Sequence, residues 1–364
     1  MSLSSIIIFL VMLLVLVLVH EFGHFIAAKL LKIRVDEFAF GFPPKLFSKK
    51  IGETEYIFNA LPLGGYVKIH GEDGTEENKK DPRSFASKKW WQQVIVLIAG
   101  VTMNVLFAYL VFIGLSLGNK IVDSSDPLFE RAFNKHLMIV DVTEHGPADL
   151  AGVLPGSEIV SVTGKTGSLT KLTAEDMIAF VGKNQEGVSM RYKDTEGTLD
   201  IVTLAPVFGI IKDKKALGVS LATEGTVQLT LTEGIKAGVA EANHMLVQIV
   251  VAFKTLFHKL LTGNNVSDQL AGPIGVAKAV HSAERMGTAS VFFLAAILSL
   301  NLAFFNILPF PALDGGRLAI VLGEALFRKK LKHSLFIKIN TIGFLFLMLV
   351  FILVTGKELL HLFI

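Results

Sequence analysis

His20-Glu21-Phe22-Gly23-His24 follows directly on an apolar run, Ile6–Val19, that carries no charge. On an α-helix His20 and His24 lie one turn apart on one face. Both can then ligate a single Zn²⁺, with Glu21 beside it as a general base. A lone histidine on an apolar helix is most often a satisfied core residue. Two histidines flanking a glutamate in a hydrophobic segment have no comparable structural explanation. Ionisable groups at membrane depth are costly and mark functional sites. The chemistry this pattern predicts is metal-assisted hydrolysis within a membrane.

A catalytic zinc takes three protein ligands and keeps a fourth position open. The chain has no cysteine, so thiolate sites and disulfides are excluded, and any ligand set is built from histidine and carboxylate. The candidate third ligand is Asp314, in Asn306-Ile307-Leu308-Pro309-Phe310-Pro311-Ala312-Leu313-Asp314-Gly315-Gly316. Pro309 and Pro311 break a helix, and the glycine pair lets the backbone turn back sharply. An aspartate held at such a break can aim its carboxylate at a metal. The alternative role is a helix N-cap.

These residues need elements to hold them. The 364 residues are 51% hydrophobic, and mean hydropathy is positive. That composition suits a membrane protein with a soluble insert. Net charge is only +3 and the basic residues are scattered, so nothing points to nucleic acid. Four stretches are long and apolar enough to span a bilayer: Ser4–Leu31, Gln92–Leu117, Ala289–Leu308 and Phe336–Val354. The first reads as a retained span, because it lacks a basic n-region and a small-residue cleavage site. Asn104 lies in the second, where a helix–helix contact would explain it. Lys29, Lys32, Arg34, Lys45, Lys49 and Lys50 follow span one; Arg328, Lys329, Lys330 and Lys332 lie between spans three and four. The positive-inside rule makes that side cytoplasmic, with the long Gly118–Thr288 segment outside.

Residues 35–70 alternate like strands but are broken by Gly41-Phe42-Pro43-Pro44 and Leu61-Pro62-Leu63-Gly64-Gly65, which fits hairpins dipping against protein walls within the membrane, or else a cytoplasmic loop with a small sheet. Glu72–Lys89 reads as a polar linker. Residues 123–223 read as a soluble domain. Its Gly146–Ile159 stretch resembles a PDZ domain, with Ser157 where an aspartate is usual; such domains take an extended peptide as an added strand. Residues 229–262 have helical periodicity and read as an amphipathic helix at the outer surface. The expected organisation is therefore an N-terminal membrane core (1–117), a PDZ-like domain, the amphipathic helix, and a C-terminal membrane core (286–364) that carries the 306–316 loop.

Four motifs together resemble the site-2 protease family of intramembrane zinc metalloproteases, in its bacterial RseP-like branch. They are the HEFGH motif, Leu61–Ile69, Ala271-Gly272-Pro273-Ile274-Gly275, and the Asn306–Gly315 motif. The resemblance covers nearly the whole chain. It implies a membrane α-helical fold with four transmembrane helices, a re-entrant β-hairpin region and one extracytoplasmic PDZ-like α+β domain. It implies zinc held by His20, His24 and Asp314, with Glu21 as general base. It also implies substrate contacts at Asn306, Asn301 and the Gly64-Gly65-Tyr66 stretch. The expected location is the bacterial inner membrane, with the active site near its cytoplasmic face. The expected partners are the bilayer, the transmembrane helix of single-pass substrates such as anti-sigma factors or remnant signal peptides, and a peptide or ectodomain at the PDZ domain. One departure is the single PDZ unit where the best-known RseP proteins carry two. A PDZ-bearing scaffold is disfavoured, since it needs neither metal motif. A metalloprotease acting on misfolded chains would ordinarily take a glutamate as third ligand.

Overall fold

The computed structural model describes residues 2–72, 80–195, 197–211, 214–263, 271–329 and 331–363. Residues 73–79 of the expected linker and Lys330 of the basic cluster expected on the cytoplasmic side lie outside the described residues. The chain divides into two compact units, one of residues 1–112, 238–281 and 291–364, the other of residues 113–237 and 282–290.

The first unit opens with helix α1, Leu3–Leu30, started by the Ser2 side chain accepting from Ser5 N at 3.2 Å. It is apolar all round, as a bilayer-spanning helix must be. At 1.5 Å per residue it is about 42 Å long, more than a bilayer core of about 30 Å. Its buried positions, Met12, Leu16, His20, Gly23, His24 and Ala27, recur at helical spacing. The histidines thus continue the stripe that packs against protein. Strands β1, Val35–Ile51, and β2, Thr54–Ile69, follow. Their register folds back on itself: Phe40 is opposite both Gly65 and Phe58, while Phe47 is opposite Phe58 and Ile51 is opposite Thr54. Segment 35–40 is therefore flanked by 65–69 on one side and 55–58 on the other, which leaves 65–69 as an edge. Stacked rings of Phe40, Phe58 and Phe47, with centroids 4.5 Å apart, fix this register. Helix α2, Trp90–Ser116, crosses α1 at Gly23, where an added Cβ would meet the Ala99 carbonyl.

The second unit is built on a seven-stranded antiparallel sheet with the order β3-β11-β4-β5-β7-β8 and β6 beside β5. The strands are β3 Gly118–Asp123, β4 Phe133–Val142, β5 Glu158–Gly164, β6 Gly167–Ser168, β7 Val188–Lys193, β8 Leu199–Leu204 and β11 Val219–Leu229. A separate ribbon pairs β9, Val207–Ile211, with β10, Lys214–Ala216. Helix α3, Pro147–Leu150, is one turn, and α4, Ala174–Lys183, is capped by Thr173. Leu137, Ile139, Ile159, Val162, Met177, Met190 and their neighbours form its core. Ser157 is fully buried. Strands β3 and β11 reach beyond the 123–223 stretch, because Gly118–Asp123 pairs with Glu224–Leu229.

The chain then continues through α5 Leu231–Leu261, α6 Pro273–Arg285, α7 Thr288–Ile307, α8 Asp314–Phe327 and α9 His333–Phe363. Five helices among the described residues, not four, are long and apolar enough to cross a membrane: α1, α2, α5, α7 and α9. The added one is α5, whose most apolar window has a mean hydropathy of 1.3 against 2.0 or more in the others. Its apolar periodicity also suits an amphipathic surface helix. Yet its Ala242, Met245, Leu246 and Ile249 pack with Ala108 and Phe112 of α2 and with Ala296 and Leu300 of α7. Helix α9 runs past Val354 through Lys357 and Glu358. The Glu358 carboxylate accepts from the backbone N–H groups of Gly272, Ile274 and Gly275 at 2.7–3.1 Å. The Ala271–Gly275 motif is thus a helix start closed by a carboxylate from another helix.

Candidate metal centre

His20 and His24 are each less than 8% exposed. They face α2 where Gly100 leaves room: a Cβ there would sit 2.7 Å from His20 Cε1, 2.8 Å from His20 Nε2, and against His24 Nε2. His24 Nδ1 donates to the Val96 carbonyl at 2.8 Å, which fixes its tautomer and leaves Nε2 with a free lone pair. His20 Nδ1 lies 3.4 Å from the Asn104 side-chain amide, in a fully buried position.

Asp314 arrives from α8. Leu313 occupies the N-cap position and makes no side-chain cap bond; Asp314 is the first helical residue. The carboxylate is therefore not spent on capping. The loop before it is braced on α9, where Asn340 Oδ1 accepts from Ala312 N at 3.2 Å and Gly343 lets Pro311 approach. Gly315 and Gly316 lie so close to the carbonyls of Ile307, Leu308 and Phe310 that no side chain fits there. Asp314 Oδ2 comes 2.9 Å from His20 Nε2 and 3.2 Å from His24 Nε2, and the two Nε2 atoms are 3.2 Å apart.

This triangle fits a metal. Bonds of about 2.0–2.1 Å in a tetrahedron separate ligand atoms by about 3.3–3.4 Å, close to these spacings. Among the described residues His20, His24 and Asp314 form the one His/Cys/Asp/Glu group whose ligand atoms converge in this way, all within 4.8 Å. The surroundings fit too. When His20 binds a metal through Nε2, its Nδ1 carries a proton that needs an acceptor. Asn104 Oδ1 is buried without a partner, and turning the amide over delivers it to Nδ1.

Glu21 points to the sheet. Its Oε2 accepts from the backbone N–H of Val67, on the 65–69 edge, at 3.0 Å. Asn306 Nδ2 lies 3.3 Å from His20 Nε2, so it faces the same centre. Asn301 instead donates to the Ile297 carbonyl of its own helix at 3.0 Å. Gly65 packs its backbone close to Ala39 and Leu18, Gly64 lies against the Phe42 ring, and the Tyr66 hydroxyl donates to Glu37 at 3.1 Å. The structure thus brings Asn306 to the histidines and places the Gly64–Tyr66 stretch beside α1 without aiming its side chains there.

The family described as Peptidase family M50 matches residues 8–350. The chain belongs to Peptidase family M50, the site-2 protease family. A Clostridium perfringens protein provisionally named a zinc metalloprotease is 34% identical over 344 residues, covering 94% of this chain and 95% of that protein. A Clostridium acetobutylicum protein with the same provisional name is 32% identical over 348 residues, at 95% of both chains. The regulator of sigma-W protease RasP of Bacillus subtilis is 29% identical over 445 aligned positions, covering all of both.

Within this M50 peptidase, sequence reasoning missed Gly100, Val67 and the role of Asn104. Gly100 and Asn104 are four apart, so they share a face of α2, and a small residue one turn before a buried amide was the available signal. Val67 lies in the Leu61–Ile69 motif, but its side chain gives no sign of its role, since only its backbone acts.

Proposed function

We propose that this M50 peptidase is an intramembrane zinc metalloprotease in which His20, His24 and Asp314 hold the metal and Glu21 is the general base. The convergence of two imidazole nitrogens and one carboxylate oxygen at 2.9–3.2 Å, next to Glu21, carries the reading. The similar proteins named as zinc metalloproteases support it. Bound zinc would polarise the scissile carbonyl and acidify water.

The chain's own residues do the rest. Glu21 takes the proton from the attacking water and passes it to the leaving amine. The Val67 N–H holds the Glu21 carboxylate in place meanwhile. Asn306, beside His20 Nε2, holds the substrate backbone next to the metal. A transmembrane helix hides its carbonyls, so it must unwind locally before it can be cut. The 65–69 edge beside Glu21 can receive the unwound strand through backbone groups other than the Val67 N–H.

The substrates are single-pass membrane proteins, cut in regulated intramembrane proteolysis at the bacterial inner membrane. The name of the Bacillus subtilis relative, a regulator of sigma-W protease, supports anti-sigma-factor-like substrates for this chain. The sheet of the second unit is a PDZ-like domain on the outer side. There it restricts access by large ectodomains and takes no part in the chemistry. Helix α5 is long and apolar enough to add a fifth span, packed on α2 and α7 through Ala242, Met245, Leu246 and Ile249.

The test is cleavage of a fluorescent transmembrane helix against casein by purified protein, wild type and Glu21→Gln. Cleavage of the helix alone, lost in Glu21→Gln, is the expected result. Preferential cleavage of casein would refute the substrate class.

A further inference from the structure

Arg317 lies one helical turn after Asp314 and has no part in the chemistry above. Its side chain is only 19% exposed. One guanidinium nitrogen donates to the Glu72 carbonyl at 2.6 Å, and the other contacts the Glu72 carboxylate. The guanidinium carbon is 5.7 Å from the Phe85 ring centroid and 5.7 Å from that of Phe336. A single planar group therefore ties α8 to the residue beyond β2, with an aromatic ring from each of two other segments. A lysine offers a point charge and cannot reproduce both contacts.

Each tethered end continues into a residue of the candidate centre. Strand β2 is held to α1 by the Val67 N–H on Glu21, and five residues later Glu72 holds Arg317. The loop before Asp314 rests on α9 through Asn340 and Gly343. The turn after Asp314 borders a cavity of about 520 Å³ lined by Asp36, His70, Glu72, Ala312, Arg317 and Asn340. That side is open rather than filled by packed side chains, and the Arg317 contacts cross it.

We propose that Arg317 and Glu72 form a strut that sets the distance of the Asp314 carboxylate from His20 and His24. Both are positioning residues for a metal ligand. The proposal rests on the zinc-ligand reading above. It also links the strand that meets the substrate to the helix that carries the carboxylate.

The test uses full-length protein in detergent, stripped of metal and titrated with Co²⁺. The readouts are affinity by chelator competition, the visible cobalt absorption, and thermal stability of the metal-free protein. Arg317→Met keeps the packing between the rings but removes the tether. It is expected to weaken cobalt binding about tenfold to a hundredfold and to alter the cobalt spectrum, as loss of a group that orients a ligand does. Arg317→Lys should fall between it and the wild type. Glu72→Gln should weaken binding in the same direction, and the Glu72→Gln/Arg317→Met pair should be no worse than Arg317→Met alone. A folded Arg317→Met protein that binds cobalt within twofold of wild type, with an unchanged spectrum, overturns the strut. Multiplicative losses in the pair overturn it as well. Where Arg317→Met does not fold, Arg317→Lys and Glu72→Gln decide, and wild-type affinity in both overturns it. A wild-type protein with no cobalt site sensitive to His24→Ala overturns the ligand assignment itself, and the strut with it.

Discussion

Gly100→Ala adds one methyl group to α2 and should disable the centre. The new Cβ would lie 2.7 Å from His20 Cε1 and 2.8 Å from His20 Nε2, where ordinary contact begins at 3.4 Å. The overlap is 3.4 − 2.7 = 0.7 Å against His20, and His24 Nε2 is met as well. Neither ring can yield freely. His24 is tied to the Val96 carbonyl, His20 lies against Asn104, and both are buried. Overpacking of this kind costs about 1–3 kcal/mol, and displacing a reacting group by roughly 1 Å costs about a hundredfold in rate. We expect a loss of about tenfold to a hundredfold in single-turnover cleavage of a transmembrane helix, with reduced zinc occupancy. Gly114→Ala in the same helix is the control, since nothing lies within 4 Å of its added Cβ. That change should be neutral or slightly stabilising. A Gly100→Ala protein with full zinc and a rate within twofold of wild type would refute the idea that α2 confines the imidazoles.

Three further outcomes are expected. Glu21→Gln should keep zinc and fold while its turnover falls by at least about a hundredfold, because the amide cannot accept a proton; a rate within tenfold of wild type would remove Glu21 as the base. Glu358→Ala leaves the N–H groups of Gly272, Ile274 and Gly275 without their carboxylate, so the protein should lose about 1–2 kcal/mol of stability in a denaturation series, and an unchanged transition would mean other groups or water satisfy them. Deleting residues 124–223 preserves the pairing of Gly118–Asp123 with Glu224–Leu229, so a short turn can close the gap. Once shown to be folded and zinc-loaded, that protein should still cut a trimmed substrate and begin to cut an untrimmed one. Loss of cleavage of the trimmed substrate would show that the domain captures substrate.

The candidate centre was legible because its proposed chemistry sits in side chains at fixed spacing. The two histidines are four apart on an apolar helix, and Asp314 follows a double proline break. Their mutual distance was not legible, since it depends on α8 being braced against α9 and on two glycines that admit carbonyls. The spans Leu3–Leu30, Trp90–Ser116 and Thr288–Ile307 fall within two residues of their expected limits, because uniform apolar runs have clear ends. Helix α5 is ambiguous in the sequence, because its apolar periodicity and moderate hydropathy serve both an amphipathic surface helix and a span. Helix α9 exceeded its expected end, and there Glu358 is satisfied by backbone N–H groups at the start of α6. The double pairing of residues 35–40 was invisible, because proline and glycine mark where the strands break but not which segments become neighbours.

The most direct test of the central claim is the zinc content of purified full-length protein, wild type and Asp314→Ala, after dialysis against a weak chelator. Two imidazoles alone do not make a stable catalytic site, whereas two imidazoles and a carboxylate do. The account predicts about one zinc per wild-type chain and far less in Asp314→Ala. Full zinc occupancy in a folded Asp314→Ala protein would contradict it.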